Sequence, residues 1–276
     1  MERPAWAPPG IDIAMPSAAR INDCYLGGSY NFEADRDAAR RAMEFLPGFP
    51  KIAQANRAFT RRVVRFAAAA GIDQFLDIGC GIPTFGAVHE TARAAAPGAR
   101  VVYVDHDPVA VAHARAVVGG EPRVDAVFAD LRKPRDILGS CEVRALIDLD
   151  RPTALLLAAI LHFVEDAYDP YAAVGELRDA TASGSLLAVT HISYEGIPVP
   201  QEQAAGAVGV YKDIRNPLIM RSRAEIARFF EGYDMVEPGL VPMPQWRADT
   251  ELDAYDECEA EDPWAFSGFA GVGRKR

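Results

Sequence analysis

Residues 74–84 read Gln74-Phe75-Leu76-Asp77-Ile78-Gly79-Cys80-Gly81-Ile82-Pro83-Thr84, and the reading of this stretch decides the fold. A short apolar run, Gln74 to Ile78, enters a G-x-G turn, and a helix-compatible segment from Thr84 to Ala96 follows until Pro97-Gly98 ends it. Glycines let the backbone turn tightly and approach a ligand without side-chain obstruction. They stand at the carboxyl end of a strand, where open α/β sheets bind their ligands. The third glycine of the dinucleotide fingerprint is missing, because Thr84 occupies its place. Asp77, two residues ahead of the first glycine, would repel a pyrophosphate but suits a ligand carrying ammonium and sulfonium groups.

Downstream the same alternation repeats. Arg100 to Val104, Ala126 to Ala129, Thr153 to Leu157 and Ser185 to Thr190 are strand-like, and Pro108 to Val118 and Pro170 to Ala182 are helix-like stretches closed by glycines. Strands that alternate with helices predict a parallel sheet with helices on both faces. Upstream, Asp35 to Ala70 carries a helical apolar spacing broken at Pro47-Gly48 and Pro50, which predicts two or three helices. Pro16 to Phe32, with its turn-forming Gly27-Gly28, Asn22 and Asn31, is expected to be irregular and partly exposed. The chain thus divides into a helical segment 1–70 and a core 71–276. An insertion at about 194–220 contains a short helix from Glu202 to Val208. Near the end, a helix from Ala224 to Phe230 precedes two extended runs, Met235 to Val241 and Phe266 to Val272, predicted to pair antiparallel at the sheet edge.

Three acids follow one another at strand ends. Asp77 precedes the glycine loop, Asp105 ends the second strand, and Asp130 ends the third in Val127-Phe128-Ala129-Asp130-Leu131. An acid about 20 residues past such a loop accepts hydrogen bonds from ribose hydroxyls. Asp130 suits an adenine amino group, with Leu131 packing nearby. Asp107, ahead of Pro108, reads as a helix cap.

Composition narrows the function. Half of the 276 residues are hydrophobic and a quarter charged, as in an ordinary globular enzyme. The formal charge of -10 argues against a nucleic-acid partner, whose phosphates need clustered Lys and Arg. The longest apolar stretches, such as Ala154 to Leu161, fall far short of a membrane span, and Met1 to Pro9 has no apolar signal core, so a cytoplasmic location is expected. Cys24, Cys80, Cys141 and Cys258 lack metal or disulfide spacing. No metal site is expected: His89-Glu90 is followed by Arg93 where H-E-x-x-H needs a histidine, and the acidic run Glu251 to Asp262 lacks the glycine of a calcium loop.

The order Asp77-Ile78-Gly79-Cys80-Gly81, then Asp105, then Ala129-Asp130-Leu131, resembles class I S-adenosylmethionine (SAM)-dependent methyltransferases. The segments PSAARINDCYLGGSYNFEADR, ANRAF, VVYVDHDPVAVAHA, ADLRKP, LHFVEDA and GFAGVGRK are similar to those of a SAM methyltransferase family first catalogued as a domain of unknown function. The resemblance runs from about Pro16 to the end. It implies a Rossmann-like, doubly wound, mostly parallel α/β sheet of seven strands, the last antiparallel, beneath an N-terminal helical cap. It further implies SAM as cofactor. Asp77 with the backbone of Gly79 and Gly81 would hold its methionine part, Asp105 its ribose, His106 the adenine face and Asp130 the adenine edge. Leu161 and His162 would lie near the methyl group.

Because SAM is already activated, the enzyme must mainly align an acceptor and remove a proton where the nucleophile carries one. His162, then His191, are the candidate bases, each at a strand's carboxyl end. Tyr25, Tyr30 and Asn31 are candidates to close over SAM or touch the acceptor, and Arg20 to pair with a carboxylate. Arg57, Arg61 and Arg65 recur at four-residue spacing and read as one helix stripe, a solvated or salt-bridged face. A small-molecule acceptor is expected, since the cap and the insertion can enclose the site. Two other readings share the pattern: a SAM-binding regulatory protein without turnover, and an NAD(P)-dependent oxidoreductase, against which Thr84 and Asp77 count.

Overall fold

The computed structural model describes residues 7–83, 86–212, 214, 217–247 and 262–276. Its helices are α1 (Ala18–Tyr25), α2 (Glu33–Phe45), α3 (Phe49–Ala69), α4 (Val88–Ala95), α5 (Pro108–Val118), α6 (Pro134–Leu138), α7 (Cys141–Leu146), α8 (Pro170–Ala180), α9 (Gln201–Lys212) and α10 (Arg223–Ala227). The strands are β1 (Gln74–Ile78), β2 (Arg100–Asp105), β3 (Val124–Phe128), β4 (Ala154–Ala158), β5 (Leu186–Ile192), β6 (Tyr233–Met235), β7 (Val241–Pro242) and β8 (Gly268–Lys275). They form one sheet in the order β3-β2-β1-β4-β5-β8-β6, a path of seven, with the two-residue β7 paired to β8 as an eighth. The first five strands run parallel, and β8 lies antiparallel to both β5 and β6. The architecture is the expected doubly wound one.

Both faces of the sheet are buried, so each strand is apolar on alternate sides. Phe75, Val101, Tyr103 and Leu156 meet α3, α4 and α5 through Phe59, Val63, Ala92 and Val111. Leu76, Ile78, Val102, Val104 and Leu155 meet the other layer through Ile137, Val143, Leu177 and Phe229. A one-residue slip would exchange the two sets, and the in-register pairing of Phe75 with Val101 and Ala154 holds them in place. The chain winds outward from β1 to β3 and then returns to place β4 beside β1. That reversal opens a crevice at the carboxyl ends of β1 and β4.

A third apolar cluster covers this crevice. Ile21 and Tyr25 of α1, Ala38 and Ala42 of α2, Phe49 and Ala53 of α3, and Ala204, Ala207 and Tyr211 of α9 pack together with Ile192 at the end of β5. Small residues let α2 and α9 approach closely: a Cβ on Gly206 would lie 2.2 Å from the Phe45 ring. Thus α9, from the insertion, joins the N-terminal helices above the strand ends. By contrast, α3 belongs to both layers, since its second half packs on the sheet.

Several local expectations need correction. Residues 16–32 are not irregular throughout: Ser17 caps α1, which hides Ile21 and Tyr25, and polar turn residues masked that short helix. The helix after the glycine loop begins at Val88 rather than at Thr84, which lies outside the described residues. The insertion helix is longer, Gln201–Lys212. Met235 to Val241 is not one run, because the turn at Pro238-Gly239, where Gly239 has φ 88°, separates β6 from β7. Residues 248–261, most of the acidic run, lie outside the described residues. No described helix is long and apolar enough to cross a membrane.

Candidate active site

The glycine loop adopts the conformation its residues permit. Gly79 and Gly81 have φ of 76° and 60°, in the left-handed region that side chains disfavour. A Cβ on Gly79 would lie 2.4 Å from the Ile160 side chain, so the turn also needs glycine for space. The N–H of Gly81 donates to Asp105 Oδ2 at 2.8 Å, tying the loop after β1 to the end of β2. Asp105 Oδ1 accepts from the Asp107 N–H at 2.8 Å, and Asp107 caps α5 through the N–H of Val109 at 2.7 Å.

These groups line one end of a cleft of about 1160 Å³, its solvent-filled mouth included. Asp77 is buried there, and its carboxylate accepts no hydrogen bond from any described residue. Burial pushes its pKa up to about 7, against the nearby Arg57 and with the help of Asp105. Asp105 is also raised, chiefly by burial, although His106 opposes the shift. Two buried acids without a counter-ion within hydrogen-bond reach suit a ligand with an ammonium group and hydroxyl donors. Arg57, on α3, also lines the cleft and donates to the Ile82 carbonyl at 3.0 Å. It supplies a cation beside the loop.

His106 stands where the cleft continues into a smaller hollow shared with Asp105, Gly79 and Ile160. Asp130 and Leu131 line that hollow. Although Asp130 is partly buried, hydrogen bonds from Arg132, including Nε at 2.9 Å, hold its pKa below the usual carboxylate value. The structure therefore brings Asp77, Gly79, Gly81, Asp105, His106, Asp130 and Leu131 around one continuous space.

Leu161 is the exception among the residues expected near SAM. It is wholly buried in the core and lines neither hollow. The 3-10 turn Leu161–Phe163 sends Leu161 into the core and leaves Ile160, His162 and Phe163 facing the cleft. Ahead of that turn, Ala159 has φ 57°, an uncommon value for alanine, and its N–H donates to Thr190 Oγ1 at 2.7 Å. The Thr190 hydroxyl in turn donates to Asn56 Oδ1 on α3.

The two histidines differ. His191 Nδ1 lies 2.7 Å from the Ile192 carbonyl and must donate to it, so Nε2 is the acceptor for Arg221 at 2.9 Å. Both ring nitrogens are occupied, and burial, abetted by Arg221, pushes the pKa down to about 3. His191, the second candidate base, therefore has no lone pair free in this structure. His162 Nδ1 accepts a long hydrogen bond from the Ile192 N–H at 3.4 Å, which leaves the ring proton on Nε2. Burial, with His191 and Arg221 close by, holds it neutral, well below its ordinary pKa.

Of the N-terminal candidates only Tyr25 reaches the cleft. Arg20 is buried and pairs with Asp35 and Asp107 of this chain, each at 3.5 Å, fastening α1 to α2 and to the α5 cap. Tyr30 packs on His113, and Asn31 bridges Asp23 at 2.8 Å and the Gly28 carbonyl at 2.9 Å. These three build the cover rather than line the cavity. The arginine stripe is not solvated either: Arg61 is buried and Arg57 faces the cleft, because α3 is covered on more than one side.

Comparison with known proteins places the chain in a family. The family model described as S-adenosyl methyltransferase matches residues 4–276. The chain belongs to the S-adenosyl methyltransferase family. A presumed methyltransferase from Thermobifida fusca YX is 39% identical over 99% of this chain and 100% of its own, with a TM-score of 0.88. A protein of a domain-of-unknown-function family from Streptomyces avermitilis is 36% identical over 96% and 99%, also at 0.88. An O-methyltransferase family protein from Burkholderia thailandensis, 12% identical over 91% of this chain and 62% of its own with a TM-score of 0.52, shares the fold. No curated protein matches the sequence. The methyltransferase is thus SAM-dependent, and the nicotinamide alternative is set aside.

Asn56, Arg57, Thr190 and Tyr211 line the cleft, and sequence reasoning did not place them there, nor Arg221 behind His191. Asn56 and Arg57 lie within the family-like ANRAF segment, which was the one available signal.

Proposed function

We propose that this methyltransferase acts on a small-molecule acceptor enclosed between the strand ends and the cover of α1, α3 and α9, with residues 1–70 serving chiefly as that cover. The observation that carries this reading is the continuity of the cleft, from the Gly79–Gly81 loop to Tyr25 and Tyr211, under helices on both sides. Asp77 holds the ammonium of SAM, Arg57 its carboxylate and Asp105 its ribose hydroxyls. His106, Asp130 and Leu131 hold the adenine. SAM supplies an electrophilic methyl group, and the protein's task is to place the acceptor in line with it. His162 lines the cleft, while His191 positions the loop after β4. An enclosed small-molecule site has no need of nucleic acid, and the free thiols of Cys24, Cys80 and Cys141 accord with a cytoplasmic enzyme.

Titration calorimetry with SAM, S-adenosylhomocysteine (SAH) and NADH tests the assignment. Saturable binding of SAM and SAH is expected, weakened at least about tenfold in Asp105→Ala, in keeping with lost hydrogen bonds to a charged group. Binding of NADH in their place, or an Asp105→Ala variant that binds SAH as well as the parent, would refute it.

A further inference from the structure

We infer that the acceptor end of the cleft is an aromatic chamber for a small neutral amine, methylated on its nitrogen lone pair and stabilised, as it becomes cationic, by the rings of Tyr25, Phe49, Phe163 and Tyr211. The inference rests on the reading of the cleft given above and names the class of acceptor. Four rings from four separate elements meet there. Tyr25 and Phe49 stack with centroids 5.0 Å apart and planes 2° from parallel. Tyr211 lies 5.9 Å from both Phe49 and Phe163, and its hydroxyl is 3.1 Å from that of Tyr25. All four rings line the cleft.

The charged residues lining the cleft, Arg57, Asp77, Asp105 and Asp107, all sit by the glycine loop or the end of β2. At the aromatic end, no cation among the described lining residues is placed to pair with a carboxylate or phenolate acceptor. No base is set to make such an anion either. His191 has both nitrogens engaged, the Nδ1 lone pair of His162 accepts from the Ile192 N–H, and burial raises the phenols of Tyr25 and Tyr211. An acceptor that must lose a proton before reacting has no partner to take it.

A weakly basic amine, already unprotonated at neutral pH, has no such need. Its lone pair forms the new N–CH₃ bond while the S–CH₃ bond breaks with its electrons to sulfur, and the positive charge passes from sulfur to nitrogen. The excess proton leaves the methylammonium product for water after transfer. Rings within reach of a desolvated cation stabilise it through their quadrupoles, and they favour the nitrogen as its charge grows. The tyrosine oxygens offer lone pairs to the amine N–H groups.

The test uses the full chain loaded with SAH and three probes of similar size: benzyltrimethylammonium, its neutral isostere neopentylbenzene, and phenylacetate. Benzyltrimethylammonium should bind about tenfold more tightly than neopentylbenzene, a difference of the size a cation over aromatic faces provides. Phenylacetate should not bind. Phe49→Leu and Tyr211→Leu should each lower the affinity for the cation toward that of the isostere, whereas Tyr211→Phe should keep it. SAH affinity, measured on every variant, should stay unchanged and reports that each is folded. Equal binding of cation and isostere, preference for phenylacetate, or no binding of the cation to SAH-loaded protein overturns the inference. Failure of the parent protein to bind SAH would instead overturn the reading beneath it.

Discussion

The two ends of the cleft are built by opposite means. The donor end is made by the sheet: Asp77, Gly79, Gly81, Asp105 and Asp130 follow successive strands, and parallel strands set their carboxyl ends side by side. It is charged, and buried carboxylates there stand ready for a cation. The acceptor end is made by packing. Tyr25 and Tyr211 touch across 186 residues of sequence, and Phe49 and Phe163 complete an uncharged wall. One end is specified by local motifs on a rigid frame, the other by long-range contacts among helices, so the two should fail differently when disturbed.

Arg221 offers the largest separation. Its buried guanidinium donates to the Leu161 carbonyl at 2.9 Å, the Val164 carbonyl at 2.8 Å, His191 Nε2 at 2.9 Å and Asp166 Oδ1 at 2.6 Å. It thereby clamps the turn that carries His162 and Phe163. Arg221→Met leaves several buried acceptors unmatched and should cost about 3–5 kcal/mol of stability. In urea unfolding this appears as a lower midpoint, while SAH affinity of the remaining folded protein stays near that of the parent and binding of benzyltrimethylammonium is lost. Loss of both ligands in parallel would mean that the ends are not independent.

Gly79 probes the other end. Gly79→Ala adds a Cβ against Ile160 in left-handed backbone, for a combined cost of about 2–4 kcal/mol. Gly81→Ala bears only the backbone penalty, since no described atom beyond its chain neighbours lies within 4 Å of its Cβ, and should cost about 1–2 kcal/mol. SAH binding should weaken in the same order. Thermal unfolding of the two variants side by side decides the point: equal losses would show that the contact with Ile160 relaxes freely.

The same contrast explains what could be read in advance. That Asp77, Gly79, Gly81, Asp105 and Asp130 converge on one crevice was legible because strand, glycine turn and acid lie within a few residues of each other and the topology does the rest. Leu161 was misjudged by one step of a 3-10 turn, a rotation that no local pattern encodes and that puts Ile160 at the cleft in its place. Arg57 was hidden by its spacing with Arg61 and Arg65, which looks like a solvated stripe until helices and loops are known to cover α3. Arg20 and Asn31, expected at the ligand, have Asp35, Asp107 and Asp23 of the same chain as their partners. His191 could not be judged without Arg221, which is 30 residues away and has the look of any surface arginine.

The smallest effect, and the most specific, concerns Asp77. Its pKa of about 7 in the unliganded protein stands above the ordinary 3.8 of the unfolded chain, because burial disfavours the charge. Between those values the native state holds a proton that the unfolded state has released, so this group's contribution to stability declines as pH rises from about 4 to about 7 and is level above that. Binding an ammonium at Asp77 reverses the preference. Below about pH 7 SAH must then bind with release of a proton, and its affinity should fall as pH drops, by at most about tenfold per unit. Calorimetry in two buffers of different ionisation enthalpy measures the proton directly. In Asp77→Asn the release should vanish and SAH affinity should fall about tenfold or more, as when a charged hydrogen-bond partner is removed. The unliganded variant should nevertheless be as stable as the parent at pH 8, or more so, since it buries no charge. A parent protein whose SAH affinity is flat from pH 5.5 to 8 would place the ammonium elsewhere in the cleft and leave Asp77 as a structural acid of the loop.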